Sequence, residues 1–372
     1  MSRRVNPLAD APERWQPLID RSIEMLRGHQ DPGGAWPASP GFAPYQYSWF
    51  RDGSFIAEGA SAAGLHDEAD RFHGWCARVL EREKPAVERV LAMLAAGEQP
   101  ADSDYLPARY NLDGTRHEDD WWNLQVDGYG TWLWALERHL GRTGGAPSTY
   151  AAAVETAVRY LVATGTDTCR DWWEESRDQT HVTTLAGVSA GLLAAVRMCA
   201  LPRDLALRAV AVSDGCLDLI RTRGTHDSHL VKWLDGTDVD ASLLAVAALY
   251  GALPIDDGVV TATVLEIESR LVHGGVHRYE ADTFYGGGQW PVLAALLAMH
   301  HTRAGNHERA EILLDWVTTT ADDDLRLPEQ TAPLLATDAL DEWLERWGAS
   351  AHPLLWSHGM FLAAAAPHAQ GR

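Results

Sequence analysis

The chain has 372 residues, enough for one large core or two ordinary domains. Its 31 basic residues face 52 acidic ones, a formal net charge of −21, which argues against nucleic acid and against an anionic membrane surface, since both need clustered Lys and Arg. The 16 tryptophans are many for this length, and flat indole faces that stack on sugar rings are one common use of them.

The stretch Met1 to Pro7 starts basic but has no apolar run behind it, and no run of about 20 apolar residues occurs anywhere, so a cytoplasmic chain without a membrane span is expected. Cys76, Cys169, Cys199 and Cys216 show no metal or redox spacing and are expected to stay reduced. The 16 His include no H-E-x-x-H, so no catalytic metal or other cofactor is expected. His181, His352 and His358 are expected to be structural or to support the site from behind the residues that touch a ligand.

Helical periodicity recurs along the chain and alternating strand patterns are scarce. A first helix is predicted from about Glu13 to Arg27, then a loop rich in Pro, Gly and aromatics from Gly33 to Phe50. A small-residue helix follows at about Asp52–Ala63, and an amphipathic one at about Asp67–Arg82 with a further helical stretch after Pro85. The polar loop Gly97–Trp121 leads to a fourth helix near Gln125–Leu140; the fifth covers about Thr149–Val162. The sixth (His181–Cys199) and seventh (Asp204–Arg221) precede a loop, Gly224–Asp238. An apolar eighth helix, Asp240–Tyr250, has Asp240 as its N-cap. The ninth is Gly258–Leu271, and the loop Val272–Gly288 separates it from the tenth, Gln289–Arg303. The eleventh spans Asn306–Thr319. A long loop, Ala321–Leu355, holds a short helical piece near Asp338–Arg346, and the twelfth helix runs from Trp356 to Ala366.

Even-numbered helices are rich in Ala, Gly and Leu, as befits burial on several sides; odd-numbered ones carry more charge. Long aromatic and acidic loops fall before the even helices. That alternation predicts an all-α fold, an (α/α)6 barrel of about twelve helices with six inner helices ringed by six outer ones. No composition break marks a linker, so one domain covering residues 1–372 is expected, and no fixed-period repeat supports a linear solenoid.

In such a barrel the loops entering the inner helices converge at one end. Six segments would meet there: Tyr45 to Asp52, Trp121 to Asp127, Asp171 to Glu175, Trp233 to Gly236, Arg278 to Trp290, and Leu327 to Gln330. Each mixes aromatics with acids, Arg or amides, which is what a monosaccharide needs: flat faces for its C–H surfaces and bidentate groups for its hydroxyls. Arg51-Asp52 can clamp adjacent hydroxyls, or form a plain salt bridge. Arg278 and Asp282, four apart, pose the same choice. Gly286-Gly287-Gly288 lacks the Lys-Ser/Thr of a phosphate loop, and no G-x-S-x-G elbow is present. In Asp171-Trp172-Trp173-Glu174-Glu175, acids lie against large apolar rings. Lost hydration raises such an acid's pKa, so it can hold and donate a proton near neutral pH.

Taken in order, these pieces resemble glycoside hydrolase family 15, the glucoamylases and their relatives. The matching residues are Tyr45 with Trp49-Phe50-Arg51-Asp52, Trp121 with Gln125 and Asp127, Asp171 to Glu175, Arg278-Tyr279 with Asp282 and Trp290, Glu329-Gln330, and Leu355-Trp356-Ser357-His358. The resemblance implies a six-fold α/α barrel and an inverting exo-hydrolase acting on α-glucosides. It implies Glu174 as general acid and Glu329 as general base. Tyr45, Trp49, Arg51, Asp52, Trp121, Gln125, Trp173, Arg278, Asp282 and Trp290 would serve the glucose-binding subsite, with Glu175 at the leaving group or just behind the acid. The β-sandwich and starch-binding modules of better-known members are missing. The chain therefore looks like the short members acting on small sugars, isomaltose foremost, with trehalose or maltooligosaccharides as alternatives and a non-catalytic sugar-binding protein as a distant one. A separation of roughly 6.5–9.5 Å between the two carboxyls is expected for inversion.

Overall fold

A computed structural model describes residues 7–8, 10–119, 121, 124–198 and 201–370; Met1–Asn6, Trp122, Asn123 and Cys199 of the sequence reading lie outside the described residues. Thirteen α-helices account for most of what is described. They are α1 (Gln16–Gly28), α2 (Phe50–Ala62), α3 (His66–Ala95), α4 (Asp127–Thr143), α5 (Ala151–Thr164), α6 (Val182–Arg197), α7 (Arg203–Arg223), α8 (Leu244–Ala248), α9 (Gly258–Leu271), α10 (Pro291–Arg303), α11 (His307–Thr319), α12 (Leu340–Trp347) and α13 (Leu355–Gln370). Strand structure among the described residues is limited to three two-stranded ribbons of two residues per strand.

Six of the helices form a closed inner ring. α2 packs on α4, α4 on α6, α6 on α8, α8 on α10, α10 on α13, and α13 returns to α2. The outer helices α1, α3, α5, α7, α9 and α11 lie against them. This is the (α/α)6 barrel that the alternation of small-residue and charged helices predicts, and ring closure excludes a linear solenoid.

The composition of the inner helices has a packing cause. Every residue of α2 from Phe50 to Ser61 is buried, as is every residue of α10 from Pro291 to His301. Helices surrounded on all sides must approach closely, and glycine permits it. A Cβ on Gly59 would stand 1.9 Å from the carbonyl oxygen of Gly359 on α13, and one on Gly191 would stand 2.3 Å from that of Gly130 on α4.

Three expectations about helices change. The two pieces around Pro85 are one helix, α3, of 30 residues. Proline removes one amide and orphans the carbonyl four residues back. Pro85 and Glu81 are both exposed on this outer helix, so water can satisfy that carbonyl. The eighth helix is shorter than its apolar pattern: a 3-10 turn, Ala241–Leu243, precedes a five-residue α8. Asp240 does cap it, accepting from the Ser242 amide at 2.8 Å. The short piece near Asp338 is a true helix, α12, which makes thirteen rather than twelve.

Cys76, Cys169 and Cys216 are free and buried. Among the described residues no helix is long and apolar enough to cross a membrane. The three histidines expected to be structural bind backbone or a core hydroxyl. His358 accepts from the Leu327 amide at Nε2 and so donates from Nδ1 to Ser22 Oγ; burial pushes its pKa down to about 3. His181 Nε2 lies 3.0 Å from the Cys169 carbonyl, which pins the loop before α6. His352 Nε2 lies 3.1 Å from the Arg326 carbonyl.

Candidate active site

Five of the six segments expected to meet line one cavity; the sixth, Trp233 to Gly236, does not reach its wall, and Asp235 pairs with Arg223 at the surface instead. The cavity walls include Tyr45, Trp49, Arg51, Asp52, Trp121, Trp173, Glu174, Glu175, Arg278, Trp290 and Glu329, eleven of the thirteen residues singled out from sequence. The other two support it. Gln125 is buried and donates its side-chain amide to the Asp171 carbonyl. Asp282 is wholly buried and grips the Arg278 guanidinium with both oxygens, accepting from Nε at 2.7 Å.

Glu174 sits at φ +64°, the left-handed region that costs a side-chain-bearing residue of order 1–3 kcal/mol. The turn is held from behind by Asp171. Its Oδ1 accepts from the amides of Trp173 (3.0 Å) and Glu175 (2.8 Å), while its carbonyl accepts from the Glu174 amide at 3.0 Å. The Glu174 carboxyl is thereby aimed at two indoles: Trp49 Nε1 donates to Oε1 at 2.5 Å and Trp121 Nε1 to Oε2 at 2.8 Å. Burial raises its pKa above the usual carboxylate range; the Arg51 charge and the Trp49 hydrogen bond oppose that rise without cancelling it.

Glu329 is also buried, but its carboxyl has a free side. Oε2 has no hydrogen-bond partner, while Tyr45 and Arg278 stand close enough to favour its charged form. Burial outweighs them and pushes its pKa up to about 8. Tyr45 lies within electrostatic reach of both Glu329 and Glu174, and so does Asp52. The two acids therefore share one cavity and titrate as neighbours of the same groups.

Around them the polar clamps take shape. Arg51 Nη2 lies 3.1 Å from Asp52 Oδ2, with its guanidinium over the Trp356 ring at 5.6 Å. Arg278 stacks over Trp173 at 5.0 Å and over Phe284 at 5.1 Å. Glu175 turns toward Arg278, accepting at 3.3 Å on Oε1, and receives the Tyr279 hydroxyl at 2.6 Å on Oε2.

Sequence reasoning missed several participants. Lys232 is buried and meets three carboxylates: Asp171 at 3.2 Å, Asp240 at 3.2 Å and Glu175 at 3.5 Å. Burial lowers its pKa, but those charges outweigh it and hold the ammonium charged. Asp240 also accepts from Trp173 Nε1 at 2.9 Å. Arg109 lies between the rings of Tyr47 and Trp121, 3.9 Å from each centroid, and its strand partner is Trp49. Asp127, which the resemblance already included without a role, stands at the start of α4, wholly buried near Arg51, and burial pushes it up to about 7. Trp343 and Trp347 of α12 complete the cavity wall beside Trp172, Phe284 and Trp356, which lie in segments the sequence did single out. A lone Lys or Arg in a polar loop carries no local signal of such a role. The paired Trp343 and Trp347, spaced four apart in a short, strongly charged helix, did carry one.

A chemistry follows from this arrangement. An aromatic-walled cavity with two buried acids of raised pKa, and Arg–carboxylate pairs beside them, suits acid–base attack on a neutral polyhydroxylated molecule. Comparison with known proteins agrees. The family model "Glycosyl hydrolases family 15" matches residues 15–346. Isomaltose glucohydrolase of Kribbella flavida is 43% identical over 94% of this chain and 92% of its own length. A trehalase of Mycolicibacterium smegmatis is 25% identical over 74% of this chain and 44% of its own length. A wild-type glycosidase structure superposes with a TM-score of 0.92 at 42% identity, covering 95% of this chain and 96% of that one; a variant glycosidase in complex with glucose superposes at 0.93. A bacterial glucoamylase complexed with acarbose shares the fold at a TM-score of 0.77 and 19% identity, covering 95% of this chain and 55% of that one. The chain thus belongs to glycosyl hydrolase family 15 and is a glycoside hydrolase.

Proposed function

We propose that this hydrolase is exo-acting and inverting, that it releases β-glucose from the non-reducing end of small α-linked gluco-oligosaccharides, and that isomaltose is its preferred substrate. We propose further that one catalytic domain, working in the cytoplasm, carries the whole activity. The observation that carries the catalytic part is the pairing of Glu174 and Glu329 in one cavity, both raised by burial, with both oxygens of Glu174 accepting from indoles and Oε2 of Glu329 without a partner. The choice of isomaltose rests on the 43%-identical relative that bears that name.

In this reading Glu174 is the general acid. Its proton passes to the glycosidic oxygen as the bond to the anomeric carbon breaks. Glu329 is the general base. Its unpartnered Oε2 accepts a proton from a water molecule, and the oxygen of that water forms the new bond on the opposite ring face. Substrate selects the productive microstate of the pair, with the proton on Glu174 and the charge on Glu329. Arg51, Asp52 and Arg278 hold the hydroxyls of the departing glucose, while Tyr45, Trp49, Trp121, Trp173 and Trp290 supply the ring's apolar contacts.

The test is a panel of isomaltose, maltose, trehalose and their longer homologues, with released glucose as the readout. Isomaltose should give the highest kcat/KM by at least tenfold. Faster cleavage of trehalose or maltose overturns the assignment of linkage, and absence of turnover on all of them overturns the substrate class.

A further inference from the structure

Helix α12 stands apart from the barrel. None of its eight residues is buried, and it packs chiefly on two short 3-10 turns, Phe284–Gly286 and Thr337–Ala339. Two indoles, one helical turn apart, point from it into the cavity. Trp343 meets Phe284 edge-on at 4.8 Å, stacks on Tyr285 at 5.9 Å, and donates from Nε1 to the Thr283 carbonyl at 2.9 Å. Trp347 stacks on Trp121 at 6.0 Å, the same indole whose N–H reaches Glu174. Of the remaining side chains Asp341, Glu342, Leu344, Glu345 and Arg346 are exposed, Arg346 lying over the Trp347 ring at 4.5 Å, and Leu340 is half-buried against the core. An isolated eight-residue helix is not stable in water, so α12 is held in place by Trp343, Trp347 and Leu340, its three side chains packed on the core.

We propose that α12 is an aromatic strap that sets substrate length. Trp343 and Trp347 form the wall against which the leaving sugar packs, and they close the cavity to chains with more than one ring beyond the scissile bond. Through Trp121, Trp347 also steadies the donor to Glu174. The proposal rests on the reading above of an exo-acting glucoside hydrolase with Glu174 as the acid, because Trp347 stacks on the indole that donates to Glu174.

The experiment uses full-length Trp347→Ala and Trp343→Ala, with the milder Trp343→Leu beside them, on isomaltose, isomaltotriose and α-glucosyl fluoride. The fluoride presents no sugar to the strap. Expected are a fall of tenfold or more in the ratio of kcat/KM on isomaltose to that on the fluoride, and a rise of at least tenfold in the ratio for isomaltotriose over isomaltose. Equal losses on isomaltose and on the fluoride, or an unchanged trisaccharide ratio, overturn the proposal. Calorimetry of glucose and isomaltose in a Glu174→Gln background separates this from failure of the underlying reading. If the wild type cleaves nothing but the strap variants still weaken isomaltose binding tenfold relative to glucose, the function is wrong and the strap stands. If that binding ratio is unmoved, the strap is wrong.

Discussion

The indole N–H of Trp49 donates to Oε1 of Glu174 at 2.5 Å, so the proposed acid is held by a group that favours its charged form. A donor of this kind lowers a carboxyl pKa. In Trp49→Phe the ring remains and the donor is lost, so the Glu174 pKa rises further. The alkaline limb of the kcat/KM profile, where the acid loses its proton, should then move to higher pH. A hydrogen bond to a charged group is worth about 1.5–3 kcal/mol, which sets the scale at about one to two pH units. A limb that stays in place, or moves down, removes Glu174 from the acid's role.

The acid and the base can be separated by the leaving group. Fluoride departs without needing a proton, whereas a sugar alkoxide needs one. Glu174→Gln should therefore lose about 10²–10⁴-fold in kcat on isomaltose and far less on α-glucosyl fluoride. Glu329→Gln should lose comparable activity on both, since water attack is needed in either case. Similar losses on both substrates for Glu174→Gln would falsify the assignment.

The stereochemistry of the product tests how Glu329 acts. A base that activates water on the far face gives β-glucose from an α-glucoside, in one displacement. Proton NMR of freshly released sugar, read before mutarotation, should show the β anomer in excess. An initial excess of the α anomer makes Glu329 a nucleophile instead.

Much of the barrel and most of the cavity were legible because each rests on a local signal. Inner helices must be small and apolar all round, and that composition is visible in Phe50–Ala62 and Pro291–Arg303. Carboxylates beside tryptophans mark Asp171 to Glu175 in the same way. The parts that escaped depend on long-range partners. Lys232 is one cation in a polar loop until folding brings Asp171 and Asp240 to it. Gln125 reads as a substrate ligand, yet it lies behind the cavity wall and donates to the Asp171 carbonyl from a neighbouring loop. Pro85 reads as a break, but its exposure on an outer helix lets α3 run through.

Lys232 provides a stability prediction. Its ammonium is the cation between Asp171 and Asp240, which are 4% and 0% exposed. Lys232→Met keeps much of the stem's volume but leaves those carboxylates facing each other with no ammonium between them. Removing one partner of a buried ionic cluster costs about 3–5 kcal/mol. Urea unfolding should show a midpoint lowered accordingly, with the m-value unchanged. A loss under about 1 kcal/mol would mean the carboxylates take up protons at little cost.

The free oxygen of Glu329 implies a conflict between activity and stability. The folded protein holds this carboxyl at about 8, against 4.5 for an ordinary Glu. Between those values the group is protonated when folded and ionised when unfolded, so stability falls as pH rises, by about 1.4 kcal/mol per unit at most. The penalty is absent below the unfolded value and complete above the folded one. Glu329→Gln carries no such charge. The variant should therefore be inactive on isomaltose yet more stable than the wild type near pH 8, by up to a few kcal/mol, with the gain shrinking toward zero near pH 4.5. Thermal unfolding of both proteins across that range reads it directly. Equal melting temperatures for the two proteins at every pH would show that Glu329 is ionised at no cost in the folded state, which its burial, at 1% exposure, argues against.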